Sequence, residues 1–133
     1  MDFSLTEEQH IIQQTAQGLL GKECPLALVR SAWENPEAAL PLWHDHLRDW
    51  LVLADQSLAD TTLFMAEYGR ALVPGVFFSS LLAAYAASTV EVRLSGAATV
   101  AVAASNGFWM PNEERIKHYV PSARQAEQVV VVT

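Results

Sequence analysis

Met65-Ala-Glu-Tyr-Gly-Arg-Ala-Leu-Val-Pro-Gly-Val-Phe-Phe-Ser-Ser80 is the stretch on which the fold turns. Its first half closes one helix and its second half opens another. Pro74-Gly75 between them continues neither, because proline lacks the N–H a helix needs and glycine takes up the turn at no steric cost. Upstream, Ser57 stands as an N-cap, and Leu58, Thr62, Met65, Gly69 and Leu72 keep a helical period, with Phe64 and Tyr68 on a second apolar flank. Downstream, Val76–Ala87 has no polar side beyond its serines, so protein must cover most of its circumference, some of it from outside the chain.

Working back toward the N-terminus, Ser4-Leu-Thr-Glu7 fits a capping box and places a first helix from about Leu5, ended by Gly21 and Pro25. Leu5, Ile12, Ala16 and Leu19 give that helix one apolar face. A short second helix runs Leu26–Trp33, after which Asn35 caps and Pro36 opens a third. Leu40, Trp43, Leu47, Trp50 and Leu51 form its stripe, which two tryptophans mark as core.

Working forward, the character changes after Ser88. Thr89–Leu94, Ala98–Ala104, Ile116–Val120 and Val129–Thr133 are short β-prone runs separated by Ser-Gly, Asn-Gly and proline-containing segments. The unalternating valine run predicts a strand covered on both faces. The expectation is therefore an α+β chain: a helical domain of about five helices over residues 1–88, then a short, incomplete antiparallel β segment over 89–133.

The chain has 133 residues, 51% of them hydrophobic and 17% charged, enough for one core and suggestive of apolar surface covered by a partner. Net charge is −7, and the acids concentrate in the first half, which repels polyanions and argues against nucleic acid. Cys24 alone makes no internal disulfide and no cysteine-built metal site, so a reducing, cytoplasmic setting is expected. The acidic start Met-Asp-Phe-Ser-Leu-Thr-Glu-Glu is unlike an export signal. The uncharged window Ala71–Val90 has about the length of a membrane span, but Pro74, Gly75 and three serines make it a poor one, and no membrane role is expected.

Side chains with chemical potential have bland readings. His44 and His46 would point about 200° apart on a helix and cannot share a metal, so His44, Asp45, His46 and Asp49 read as a solvated face and no metal site is expected. Cys24 at a helix C-terminus reads as a structural thiol. Glu113, Glu114, Arg115 and Lys117 read as a solvated turn, and Glu67 with Arg70 as an exposed pair three residues apart. No G-x-S-x-G, G-x-G-x-x-G or Walker loop occurs.

The opening stretch, written E-x-G-R-A-L-x-P-G-x-F-x-S-S, resembles the N-terminal helical domain of acyl-CoA dehydrogenases of the steroid- and aromatic-side-chain branch. Met1–Gln9 is similar to the common start of these enzymes, Leu94-Ser-Gly96 with Thr99–Ala103 to their entry into the middle β-domain, and Lys117-His-Tyr-Val-Pro-Ser-Ala123 with Ala126-Glu127 to their K-x-x-V-P-x-A-x-x-A-D. The matches span nearly the whole chain in the family's order. Such enzymes bind FAD, hold an acyl-CoA against it and use a glutamate from a C-terminal bundle to take the α-proton.

This chain departs from that pattern. Ser105-Asn-Gly-Phe-Trp-Met-Pro-Asn112 stands where the flavin and thioester loop is expected, Pro121 stands where many members offer a hydroxyl to the flavin, Leu53–Ser57 replaces a P-x-x-Y-G-G loop, and the bundle with the glutamate is missing. The resemblance therefore implies no catalytic residue here and FAD only through a partner chain. It implies a non-catalytic or accessory subunit beside a full-length dehydrogenase-like chain or beside itself, with acyl-CoA as a ligand of the complex. The alternative it leaves open is half of a split FAD-dependent dehydrogenase completed by a second chain. In family members the helix after the break lines the far end of the acyl pocket, which maps to Phe77, Leu81 and Tyr85 here, and the same residues also read as plain core.

Overall fold

The computed structural model describes residues 4–133. It contains α1 (Glu7–Glu23), α2 (Leu26–Glu34), a three-residue α3 (Leu40–Leu42), α4 (Leu58–Arg70), α5 (Phe77–Ser88), β1 (Ala98–Ala101) and β2 (Gln128–Val131). The chain is α+β with a helical N-terminal part, as the sequence predicts. By contact density it divides into two compact units. One comprises residues up to His44 with Gln56–Gly75, the other Asp45–Asp55 with Val76–Thr133, so α5 belongs with the strands.

In the first unit, the cap of α1 sits two residues beyond the expected one. Thr6, not Ser4, accepts from the Gln9 N–H, and the Gln9 side chain returns to the Thr6 N–H at 3.1 Å, so a Thr-x-x-Gln box closes the turn. Ser57 caps α4 as expected, accepting from the Asp60 N–H, and Asn35 caps the 3₁₀ turn Pro36–Ala39. Helices α1 and α4 pack together, tied at one end by Gln9 Nε2 donating to Asp60 Oδ1 at 3.2 Å. Ala16, Leu20, Phe64 and Tyr68 are buried on these two helices. At the close of α4, Leu72 adopts the left-handed region at φ 53° while the Val73 N–H donates to Tyr68 O at 3.2 Å, a cap that usually uses glycine.

The expected third helix is a helix of changing gauge. Past Pro41, α3 opens into a π turn over Trp43–Leu47 and then tightens into a 3₁₀ run over Arg48–Asp55. Trp43 and Leu47 are buried as the stripe requires, but Trp50 and Leu51 are only half-buried, and Leu53 takes the buried place on the 3₁₀ run. A 3.6-residue stripe is not kept by a segment that changes its own period.

In the second unit, α5 packs on β1 and on the 3₁₀ run. The two strands pair in parallel, Ala98 opposite Gln128 through Ala101 opposite Val131, which corrects the antiparallel expectation. The physical reason is the connection: residues 102–127 are far longer than a hairpin turn and return the chain to the same end of the sheet. Of the other expected strands, Thr89–Leu94 is a turn with Glu91 at φ 59°, and Ile116–Val120 is irregular with Tyr119 at φ 50°. The expected two-faced burial of the valine run is also reversed. Ala98, Thr99, Val100 and Ala101 of β1 are buried on both faces, whereas Val129 and Val131 of β2 are open, because α5 lies chiefly on β1. Small side chains on β1 permit that close approach.

Among the described residues no helix is long and apolar enough to cross a membrane.

Candidate functional site

Helix α5 carries the residues that the acyl-pocket reading selects. Phe77 and Leu81 are buried in the second unit, while Tyr85, at the third position of the same spacing, is 59% exposed. Neither concavity described below includes any of the three in its lining. The apolar helix is thus mostly covered by its own chain, leaving Phe78 and Tyr85 open to solvent.

Two adjacent serines explain how so apolar a helix sits against a strand. Ser80 is fully buried, and its hydroxyl both accepts from the Ala98 N–H at 2.9 Å and donates to the Ala98 carbonyl at 3.1 Å. Ser80 therefore serves the backbone groups of β1 that point away from β2. Ser79, also buried, donates only to Val76 O of its own helix region, at 2.9 Å.

The connection between the strands is the most exposed apolar feature of the second unit. A tight turn forms where the Gly107 N–H donates to Ala104 O at 2.9 Å with Gly107 at φ 82°. The Ser105 N–H and hydroxyl both donate to the Glu114 carboxylate. The Asn112 amide donates to Val102 O and Met110 O, and its oxygen accepts from the Glu114 N–H and from Lys117 Nζ at 2.8 Å. The returning arm closes on the turn through the His118 N–H to Ala103 O at 3.1 Å, which sets the Tyr119 ring beside Gly107. Glu114 and Lys117, read from sequence as a solvated charge run, are the loop's internal fasteners. Held in this way, the loop leaves Phe108, Trp109 and Met110 exposed by 65%, 51% and 57%, with Ile116 and Tyr119 also open. Consecutive bulky apolar side chains on a hydrogen-bonded loop form a surface suited to a partner, since Trp, Tyr, Phe and Met are enriched where protein interfaces bury their centres.

Cys24, Asp60 and Glu67 each have a structural partner. The Cys24 thiol is buried, 3.8 Å from Ala71 O, and burial pushes its pKa up, away from the thiolate a nucleophile needs. Asp60 is held below the usual carboxylate range by the Ser57 hydroxyl and then by the Gln9 amide. Glu67 is more buried than expected: its carboxylate meets Arg70 Nε at 2.6 Å with only the arginine half exposed. Among the described residues no group of three or more His, Cys, Asp or Glu is placed to hold a metal ion.

A concavity opens on each of these units. In the first unit a shallow apolar groove of about 470 Å³ lies over the first turns of α1 and α4, lined by Leu5, Leu58 and Leu63 among others. In the second unit a half-open cavity of about 460 Å³ lies between the 3₁₀ run and the C-terminal end of α5, closed by the turn Glu91–Leu94. Comparison with protein-family models, with curated proteins and with solved structures finds no match to this chain.

Sequence reasoning did not find Ser80 or the fastening role of Asn112 and Glu114. Two neighbouring serines in an otherwise apolar helix were the available signal for the first. The partners of Asn112 lie up to ten residues away in an irregular loop, and no spacing rule points to them.

Proposed function

We propose that this chain is a non-catalytic, acyl-CoA dehydrogenase-like accessory subunit that works docked on a full-length, flavin-bearing dehydrogenase-like chain. The resemblance described from the sequence supplies the family, and the fastened loop with Phe108, Trp109 and Met110 exposed is the observation that carries the docking. That loop occupies the place where the resemblance expects flavin and thioester contacts, and it offers apolar side chains in their stead. FAD and acyl-CoA then belong to the complex, with the partner supplying the flavin contacts and the base, and Tyr85 as the member of the α5 trio open to an outside ligand. A cytoplasmic setting suits the single free thiol.

The test is co-expression with a full-length dehydrogenase of the same genome. The expected result is one stable complex on size exclusion, lost on Trp109→Glu while the circular dichroism of the free chain is unchanged. A chain that stays a monomer beside every such candidate, or a complex indifferent to Trp109→Glu, refutes the reading. If one FAD per copy of this chain is retained only with a second chain that carries no flavin by itself, the split-enzyme reading replaces it.

A further inference from the structure

Three charged residues that pair with nothing among the described residues border the cavity of the second unit. Asp55 closes the 3₁₀ run, and Glu91 and Arg93 stand on the turn after α5. None forms an ion pair or a side-chain hydrogen bond, although both signs of charge border one concavity. Opposite charges free to meet on a surface gain little by it, but around a cavity their separation leaves room for a ligand to bridge them. The turn is fixed, since the Val92 N–H donates to Ala87 O at 3.0 Å and the Glu91 N–H to Ser88 O at 3.2 Å, with Glu91 itself in the left-handed region. Beneath the charges the walls are aliphatic: Leu51, Ala84 and Leu94 are half-buried. The volume of about 460 Å³ lies within the range of small-molecule sites.

We propose that this cavity binds a small zwitterion with an aliphatic body, of the class of a branched-chain amino acid. Its carboxylate is taken by Arg93, whose guanidinium donates in a planar fork that matches a carboxylate. Its ammonium lies toward Asp55 and Glu91, and its aliphatic body covers Leu51, Ala84 and Leu94. The carboxylates outnumber the arginine two to one, so a ligand with a negative charge alone is repelled, and one with a positive charge alone leaves Arg93 unanswered. The site involves no residue of the apolar loop.

Titration of the free, full chain by calorimetry and by amide chemical shifts tests this with three probes of one skeleton: L-leucine, 3-methylbutylamine, which lacks the carboxylate, and 4-methylpentanoate, which lacks the ammonium. Leucine is expected to bind at least about tenfold more tightly than either, the ratio that loss of one charged hydrogen bond gives. Its shifts should centre on residues 51–55 and 84–94. Arg93→Gln should bring leucine down to the level of the amine, and Asp55→Asn with Glu91→Gln should bring it down to the level of the acid. All three positions are exposed, so the variants keep the fold. No binding of leucine, equal binding of the three probes, or binding indifferent to these substitutions overturns the proposal.

Discussion

Replacing Ser80 by alanine removes a single oxygen from a site with no solvent access. That oxygen accepts from the Ala98 N–H at 2.9 Å and donates to the Ala98 carbonyl at 3.1 Å, across 18 residues of sequence. Ala98 is itself fully buried, and its N–H and C=O point away from β2, so water cannot take over once the hydroxyl is gone. A buried donor or acceptor left unmade costs about 1–3 kcal/mol, and the void left by one hydroxyl adds little, so Ser80→Ala should destabilise the chain by about 2–3 kcal/mol. For a chain of this size that lowers Tm by roughly 8–12 °C. Ser79→Ala is the matched control. Ser79 is equally buried, but its bond goes to Val76 O, which keeps the Ser80 N–H at 2.9 Å, and its loss should cost less than about 1 kcal/mol. Urea and thermal unfolding of the two variants side by side measure the difference. Equal costs, or a Ser80→Ala cost below about 0.5 kcal/mol, would refute the claim that α5 serves the backbone of β1.

Leu72 sits at φ 53° with its side chain 61% exposed, so Leu72→Asn should relieve backbone strain and raise stability by about 0.5–1 kcal/mol in urea unfolding; a loss would show that the leucine side chain contributes more than the strain costs. The lowered pKa of Asp60 makes its contribution to stability present above the ordinary Asp value of about 3.9 and lost as pH falls through the lower folded value. The Tm gap between the native chain and Asp60→Asn should therefore close on acidification, and a gap constant down to about pH 2 contradicts the assignment. The raised pKa of Cys24 has the opposite consequence: above the ordinary thiol value of about 8.5 the unfolded chain ionises first, so stability should fall with rising pH in the native chain but less so in Cys24→Ala. The same burial predicts that a thiol reagent labels Cys24 only when the chain opens, and labelling at the rate of free cysteine would contradict it. Leu81, buried on α5, should lose stability rather than change ligand binding when enlarged to Trp, by about 1–3 kcal/mol in the same unfolding assay; Tyr85→Ala, at the open position, should leave stability nearly unchanged.

The sequence by itself determined several of the helix boundaries. Ser57, Asn35 and the Pro74-Gly75 break act through groups within four residues of one another, and such signals do not wait for a fold. Even its miss at the first cap was local: Thr6 with Gln9 competed with Ser4 and Glu7 for the same turn and differed by two positions. The sequence also set the order of helices followed by strands. Tertiary structure alone decided which way the strands run, which of them is covered, and where polar groups in an apolar helix find partners. A valine run carries the same propensity on an exposed edge as in a buried strand, and only α5 lying on β1 left Val129 and Val131 in the open. The stripe from Leu40 to Leu51 was legible as apolar, yet its change from α to π to 3₁₀ was not. Asp55 lies too far in sequence from Glu91 and Arg93 for any spacing rule to join them, and one cavity does so. Local hydrogen bonding is written into neighbouring residues, whereas burial and convergence depend on contacts between distant ones, and those exist only once the chain has packed.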